Sequence, residues 1–302
     1  MEKTVDSVIR ARPLLGTFVE ITAWGSDGRR LERAVDAAFA VIERVHGLMS
    51  YHEPHSDVSR LNRANGGAPV VIHEWTVAVL KASIDLQHRS KGLFNIAVGA
   101  ALERLGLLPS LNSPSAHVGG VGQSTVELLP KHRARLLVPG NAIDLGGIAK
   151  GFAVDQAAAI LRLSGVVGGV VNAGGDLFAF GPDEHVVGIR DPRNPARLMS
   201  LTKLREAALA SSALGFDPVT SDQPSQSAII DPRSGEPVLT MSGATVRAPS
   251  CMIADALTKV MMIGGKDASG VLEHYAASGL FMTRNGDFLA TADWEDVHSL
   301  AA

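Results

Sequence analysis

The sequence predicts an α+β fold, and three of its features carry that prediction. Helical stripes and short strand-like runs alternate irregularly along the 302 residues, without the regular strand–helix alternation of a doubly wound sheet. Apolar residues make up 46% of the chain and charged residues 20%, a balance typical of a globular protein with a buried core. The chain shows no internal repeat and no linker-like segment, so we expect a single domain over residues 1–302.

Strands are predicted where apolar residues alternate or cluster in short runs. Residues 14–23 alternate around Gly16, and the valine-rich run at 166–171 resumes at 177–180 after a turn. Residues 134–138 and 142–145 are predicted to form a hairpin, and shorter strands are expected at 186–190 and 228–230. These strands should supply the sheet component of the fold.

Four helices are predicted from the spacing of apolar residues and from their end signals. The first covers residues 31–46, and the second covers 75–90 and ends at Gly92. The third covers 148–163 and ends at a Ser-Gly pair, and the last runs from Ala248-Pro249 to about residue 263 and ends at two glycines. Residues 50–57 are expected to form a turn, and the Ser-, Gly- and Pro-rich interval 109–122 a surface loop.

Charge and composition exclude several classes of partner and location. The 28 basic and 31 acidic residues give a formal charge of −3, and no block of like charge suggests a nucleic-acid partner. The chain lacks the run of about 18 apolar residues that a membrane span needs. Cys251 is the single cysteine, which fits a reducing compartment, and the first 12 residues lack a secretory signal. We therefore expect a cytoplasmic protein, although a chain trimmed at its start would look the same.

The segment DLGGIAKG at residues 144–151 is the most informative motif. Gly146 and Gly147 let a phosphate approach the backbone, the following helix start offers free N–H groups, and Lys150 adds a positive charge. The layout therefore predicts an anion site. The alternative is a tight turn followed by a solvated lysine.

Two further segments could contact a ligand. In NAGGD at residues 172–176, paired glycines after a strand suggest close approach of a ligand, and a simple bulge or turn is the alternative. On the last helix, Asp255, Thr258 and Lys259 share one face. They could form part of the shell of a hard cation, or Asp255 and Lys259 could be an ordinary surface ion pair.

Taken together, these segments resemble the ApbE family, the FAD:protein FMN transferases. The resemblance covers residues 15–264 and rests on seven segments in order: LGT at 15–17, MSYHEPHSDVSRLN at 49–62, GLFN at 92–95, DLGGIAKG at 144–151, NAGGD at 172–176, IIDPRSGEP at 229–237, and AP at 248–249 through ADAL at 254–257.

The resemblance implies an ApbE-like (T-fold-like) α+β unit of mixed sheets with packed helices, with FAD in a cleft between two halves. It implies an enzyme that uses Mg²⁺ to split the FAD pyrophosphate. A Ser or Thr hydroxyl of an acceptor flavoprotein takes the FMN phosphate, and AMP leaves. Two alternatives stay open: an FAD pyrophosphatase that uses water, and a non-catalytic FAD-binding or flavin-carrier protein.

The motifs and the resemblance together assign the site residues. Mg²⁺ would be held by the Gly147 carbonyl, Asp255 and Thr258, and catalysis would use Asp255 and Lys259. FAD would be bound by the following residues: Leu15, Tyr51, His52, Leu93, Phe94, Asn95, Asp144, Lys150, Gly174, Gly175, Asp176 and Ile230.

The chain departs from the family pattern at four positions. His52 stands where an aromatic residue is usual, and Asn95 replaces an Asp. Ala228 replaces a His that is a candidate proton acceptor, and Lys259 replaces a metal-binding Thr. Two arrangements follow for the last helix: Lys259 faces the cleft and weakens or replaces the metal, or the helix is rotated so that Thr258 faces the cleft.

Overall fold

The computed structural model describes residues 6–110, 126–214, 227–294 and 298–299. The helices are α1 Gly28–Met49, α2 Asp57–Ala64, α3 Glu74–Arg89, α4 Gly99–Arg104, α5 Ala149–Leu163, α6 Cys251–Gly264 and α7 Ser269–His274. The strands are β1 Asp6–Leu14, β2 Thr17–Gly25, β3 Val70–Val71, β4 Val126–Leu129, β5 Arg133–Leu136, β6 Gly168–Ala173, β7 Asp176–Phe180, β8 His185–Asp191, β9 Asn194–Leu204, β10 Ala207–Ala213, β11 Ile230–Asp231, β12 Glu236–Pro237, β13 Met241–Ala248, β14 Ser278–Thr283, β15 Phe288–Ala290 and β16 His298–Ser299.

An eight-stranded sheet forms the centre of the fold, in the order β1-β2-β6-β7-β10-β13-β14-β15. Each pair of neighbouring strands in this sheet is antiparallel. Smaller sheets are formed by β16-β9-β8, β3-β5-β4 and β11-β12. Helices α5 and α6 pack on the central sheet, and α1 packs on α5. The predicted α+β class is confirmed.

The four predicted helices are present. In α1 the side chains of Leu31, Val35, Phe39 and Ile42 are all at most 2% exposed, as the apolar spacing predicts. The predicted helix 248–263 begins slightly later, at Cys251, because β13 continues through Ala248. In the described part of the chain, no helix combines the length and apolar character that crossing a membrane requires.

Helices α5 and α6 approach each other closely at their amino ends. A Cβ atom at Gly151 would lie 2.7 Å from the Met252 nitrogen, so only glycine fits at this contact. The Asp155 carboxylate of α5 accepts hydrogen bonds from the Cys251 and Met252 nitrogens at 2.7 and 2.9 Å. In return, the Asp255 carboxylate of α6 accepts from the Gly151 nitrogen at 3.1 Å. Each helix therefore supplies a carboxylate to the free N–H groups of the other helix's first turn.

Two strand predictions need correction. Residues 14–23 are not one strand: β1 ends at Leu14, and Leu15 and Gly16 form the turn to β2 with φ angles of 56° and 71°. Residues 142–145 form no strand, and the hairpin partner of β5 is β4. The Asn62 side chain instead bonds both the nitrogen and the carbonyl oxygen of Ile143, each at 2.9 Å, which satisfies this buried segment without a sheet.

Three further predictions from the sequence, a strand, a loop and the number of domains, are not fully confirmed by the structure. The predicted strand at 228–230 is shorter, and only its last residue belongs to β11, which pairs with β12. The predicted loop 109–122 lies outside the described residues from position 111 onward. The single domain over residues 1–302 stays a prediction.

Candidate functional site

A cavity of about 680 Å³ lies where several predicted segments meet. Nine parts of the chain contribute to its wall: the β1–β2 turn, the carboxyl end of α1 with the turn that follows, residues 93–98, α4, residues 107–108, residues 144–150, the end of β10, residues 228–232 and one face of α6. Most of the predicted site residues line it: Leu15, Tyr51, His52, Leu93, Phe94, Asn95, Asp144, Gly147, Lys150, Ile230 and Lys259.

Other predicted residues do not line this cavity: Gly174, Gly175, Asp176, Asp255 and Thr258. The two glycines form the turn between β6 and β7, with φ angles of 66° and 104°, and the Gly175 nitrogen bonds Asn172 Oδ1 at 2.9 Å. The turn alone accounts for both glycines. Their contact with FAD stays a prediction.

Directly behind the cavity wall lies a cluster of two lysines and two carboxylates. The Lys150 ammonium donates to Asp176 and lies 3.7 Å from Asp255 Oδ1, and the Lys259 ammonium donates to the same Asp255 oxygen. The side chains of Asp176 and Asp255 are 3% and 0% exposed, whereas Lys150 and Lys259 are 33% and 18% exposed. The carboxylates are therefore sealed inside, and the two lysines reach the cavity.

The charges in this cluster depend on one another. Burial alone would raise the pKa of Asp255, but the ammonium groups of Lys150 and Lys259 hold it below its ordinary value. Burial raises the pKa of Asp176 despite its bond to Lys150. Burial would lower the pKa of Lys150, but Asp176 and Asp255 together raise it. Lys150 and Asp255 are therefore ionised at neutral pH, and a positive charge is fixed at the cavity wall.

The orientation of α6 decides between the two arrangements left open by the sequence. Thr258 is 1% exposed, and its hydroxyl bonds Ser212 Oγ and the Asp255 carbonyl oxygen, each at 2.7 Å. Lys259 lines the cavity, and its ammonium also donates to the Asp255 carbonyl oxygen at 3.1 Å. Thr258 therefore faces β10, and Lys259 faces the cavity.

The predicted ligand set for Mg²⁺ does not fit a metal in this arrangement. The two Asp255 oxygens are taken by Lys259 and by the Gly151 nitrogen. A Cβ atom at Gly147 would lie 3.4 Å from Lys259 Cε, so the lysine stem fills the space beside that residue. Among the described residues there is also no group of three or more His, Cys, Asp or Glu side chains suited to a metal ion.

Apart from the lysines, most of the cavity-lining side chains are apolar or aromatic. Tyr51 and Phe94 are 2% and 4% exposed, and the Tyr51 hydroxyl is held by Glu103. Asn95 is also buried; its Oδ1 accepts from the Ala97 nitrogen at 2.9 Å, and its Nδ2 has no partner among the described residues. A buried donor of this kind at a cavity wall is available to a ligand acceptor.

Asp144 provides a further carboxylate at the cavity. Burial raises its pKa, although its Oδ2 accepts a hydrogen bond from the Gly146 nitrogen at 3.1 Å. Ala228 also lies in the wall and has no group that could take a proton. The cavity-lining side chains that can accept one are those of His46, His52 and Asp144.

Several cavity residues were missed by the sequence reasoning: Met49, Ser211, Ser212, Ala213, Pro232 and Ile263. The small residues at the end of β10 belong to no motif, and nothing in their spacing suggests a ligand. Ile263 could have been found, because it stands four residues after Lys259 and so shares its helix face.

Comparison with known proteins identifies the family of this chain. The model of the ApbE family matches residues 15–280. The chain is 27% identical to an FAD:protein FMN transferase of Vibrio cholerae over 88% of this chain and 84% of that one, and 25% identical to one of Treponema pallidum over 87% and 80%. The crystal structure of the ApbE protein from Thermotoga maritima superposes with a TM-score of 0.82 at 26% identity, covering 95% of this chain and 97% of that one. The chain belongs to the ApbE family.

Proposed function

We propose that this protein transfers the FMN half of FAD to a Ser or Thr hydroxyl of an acceptor protein and releases AMP. The observation that carries the proposal is the cavity, which combines an aromatic and apolar wall with two lysine ammonium groups. Its volume of about 680 Å³ lies within the range of roughly 300–1,000 Å³ that is usual for small-molecule sites. The Vibrio cholerae and Treponema pallidum relatives are both named FAD:protein FMN transferases.

The two kinds of wall match the two ends of the FMN half. Tyr51, His52 and Phe94 are cavity-lining ring side chains, and we expect them to contact the isoalloxazine; the Asn95 Nδ2 group can donate to one of its acceptor atoms. Lys150, in the first turn of α5, provides a charged donor for the pyrophosphate. FAD is therefore expected to bind more tightly than riboflavin.

The proposed reaction is a phosphoryl transfer. The acceptor hydroxyl oxygen attacks the phosphorus of the FMN half, the bond to the bridging oxygen breaks, and AMP leaves with that oxygen and its electron pair. The hydroxyl proton passes to a base, for which His46, His52 and Asp144 are the available cavity groups. Lys150 and Lys259 stabilise the negative charge on the phosphates. The protein contributes chiefly position and charge.

The test is incubation of the full chain with FAD, with and without a panel of proteins and peptides that carry Ser or Thr sites. AMP is followed by chromatography, and FMN addition to the acceptor by intact mass. Because the resemblance implies Mg²⁺ and the geometry does not fit it, each reaction is run with Mg²⁺ and with EDTA.

AMP release only with an acceptor, together with the added FMN mass, supports the proposal. AMP release without an acceptor would instead identify an FAD pyrophosphatase. Intact FAD that stays bound under every condition would show a flavin-binding protein without transfer activity, the outcome that the loss of a histidine at Ala228 would favour.

A further inference from the structure

We infer that the Lys259 ammonium is a built-in cation that takes the place of a divalent metal beside the FAD pyrophosphate, so that FAD binding and FMN transfer need no Mg²⁺. The inference rests on the proposed function for the identity of the anion in the cavity.

The first argument is position. The Lys259 ammonium bonds both the side chain and the main-chain oxygen of Asp255, and its stem lies beside Gly147. These two residues are predicted metal ligands, so the lysine side chain occupies the space beside both of them, and its ammonium is bonded to the Asp255 carboxylate. Lys259 also lines the cavity, so the same charge is accessible to a bound phosphate.

The second argument is that the side-chain oxygen atoms predicted to bind the metal already have hydrogen-bond or ion-pair partners in the protein. The Asp255 carboxylate is fully buried between Lys259 and the Gly151 nitrogen, and the Thr258 hydroxyl is bonded to Ser212. Mg²⁺ requires near-octahedral oxygen ligands at about 2.0–2.1 Å. A metal would have to displace the ammonium and then remain beside it, which like-charge repulsion opposes.

The third argument is charge balance. The ammonium groups of Lys150 and Lys259 balance the carboxylates of Asp176 and Asp255. With a neutral residue at position 259, one carboxylate would be left uncompensated, and this is the condition that attracts a metal ion. An ammonium group also has three donors that phosphate oxygens can accept. Lys259 therefore provides both the balancing charge and the contact.

The experiment measures metal binding and FAD binding separately from transfer. Mn²⁺ is titrated into the full chain with and without FAD and followed by electron paramagnetic resonance, with FAD alone as the blank. FAD affinity is measured by flavin fluorescence in EDTA and in Mg²⁺. The variants are Lys259→Thr and Lys259→Met, and the matched control is Lys266→Thr, which removes an exposed lysine just beyond α6.

The parent protein and Lys266→Thr should show no stoichiometric Mn²⁺ site and less than about a twofold effect of EDTA on FAD affinity. Both substitutions at Lys259 should weaken FAD binding in EDTA by at least about tenfold, the loss expected for one charge-assisted contact. In Lys259→Thr, Mg²⁺ should restore most of that loss, and one Mn²⁺ per chain should bind.

Three results would overturn the inference. They are a Mn²⁺ site in the parent protein that Asp255→Asn removes, a tenfold loss of FAD affinity when the parent protein is moved to EDTA, and a loss in Lys259→Thr that no metal restores. If Lys259→Thr does not fold, the inference is still tested by Mn²⁺ binding to the parent protein and by the FAD affinities of the parent protein and Lys259→Met in EDTA. Failure of FMN transfer alone would contradict the proposed function and leave these readouts intact.

Discussion

Replacement of Asp255 by Asn tests the buried charge cluster most directly. Asp255 is fully buried, and its carboxylate is shared by the Lys259 ammonium, the Lys150 ammonium at 3.7 Å and the Gly151 nitrogen at 3.1 Å. The amide keeps the size of the side chain and removes its charge. Two ammonium groups then lose a common partner, while Lys150 keeps Asp176.

The expected loss in the free energy of unfolding follows from the ion-pair contacts that Lys150 and Lys259 lose in Asp255→Asn. Removing one member of a buried ion pair costs about 3–5 kcal/mol, because the other charge stays buried without compensation. Here both ammonium groups reach the cavity and can be hydrated, so we expect the lower end of this range, about 3 kcal/mol. The double variant Asp255→Asn/Lys259→Met removes both charges and should recover about 2 kcal/mol of that loss.

The assay is urea denaturation of the FAD-free protein at pH 7, with equal m-values required for the comparison. The matched control is the exposed pair of Asp85 and Arg89, which has the same i, i+4 spacing. Asp85 also accepts a hydrogen bond from the Tyr275 hydroxyl at 2.6 Å, which an Asn side-chain oxygen can still accept, so Asp85→Asn should cost less than about 1 kcal/mol. A cost of that size for Asp255→Asn, or a double variant that is as unstable as the sum of its single changes, would refute the reasoning.

Three further predictions concern the contact between α5 and α6 and the Tyr51 side chain in the cavity wall. Gly151→Ala should lower the free energy of unfolding by about 3 kcal/mol, because the methyl group would meet the start of α6; thermal unfolding checks this, and a variant as stable as the parent protein would contradict it. Burial raises the pKa of Asp155 to about 6, so the folded protein holds this proton more tightly than the unfolded chain does. Protonated Asp155 therefore adds at most about 3 kcal/mol to the free energy of unfolding. This contribution is fully present below about pH 4 and is lost as the pH rises through 6. Asp155→Asn should flatten the fall in stability between pH 4 and 7, and parallel profiles would show that Asp155 plays no part. Tyr51→Phe should change FAD affinity less than about threefold, because the hydroxyl is held by Glu103 and the ring remains; a tenfold loss in a fluorescence titration would show that the hydroxyl contacts the ligand.

The long helices could be predicted because their burial pattern repeats along the sequence, and α1, α3, α5 and α6 all end within three residues of the predicted bounds. Strand β1 could not be predicted. Its Arg10 and Arg12 side chains are compensated by Asp36 of α1, at 3.0 and 2.8 Å, and this tertiary contact leaves no local pattern. Strand β10 has the sequence AALASSA, and it forms because β7 and β13 pair with it on either side.

The candidate site was predictable in its composition and only partly in its geometry. Gly147 and Lys150 of the motif at 144–151 both line the cavity, and their contact with FAD or a metal stays a prediction. The choice between Thr258 and Lys259 could not be made from the sequence, because adjacent helical residues differ by about 100° around the axis. The packing of α6 on β10, through the bond from Thr258 to Ser212, sets that rotation.

Helices α5 and α6 each donate backbone hydrogen bonds to a carboxylate of the other helix, and this arrangement has a consequence for synthesis of the protein on the ribosome. Gly151 and Asp255 are 104 residues apart in the chain, and Asp155 and Cys251 are 96 apart. Contacts between residues this distant in the chain slow folding, because the intervening loop must close before they form. Until α6 has left the ribosome, the start of α5 lacks its partner and Lys150 lacks one of its two carboxylates. A nascent chain that already carries the motif at residues 144–151 therefore lacks part of the cavity wall until α6 has also been made.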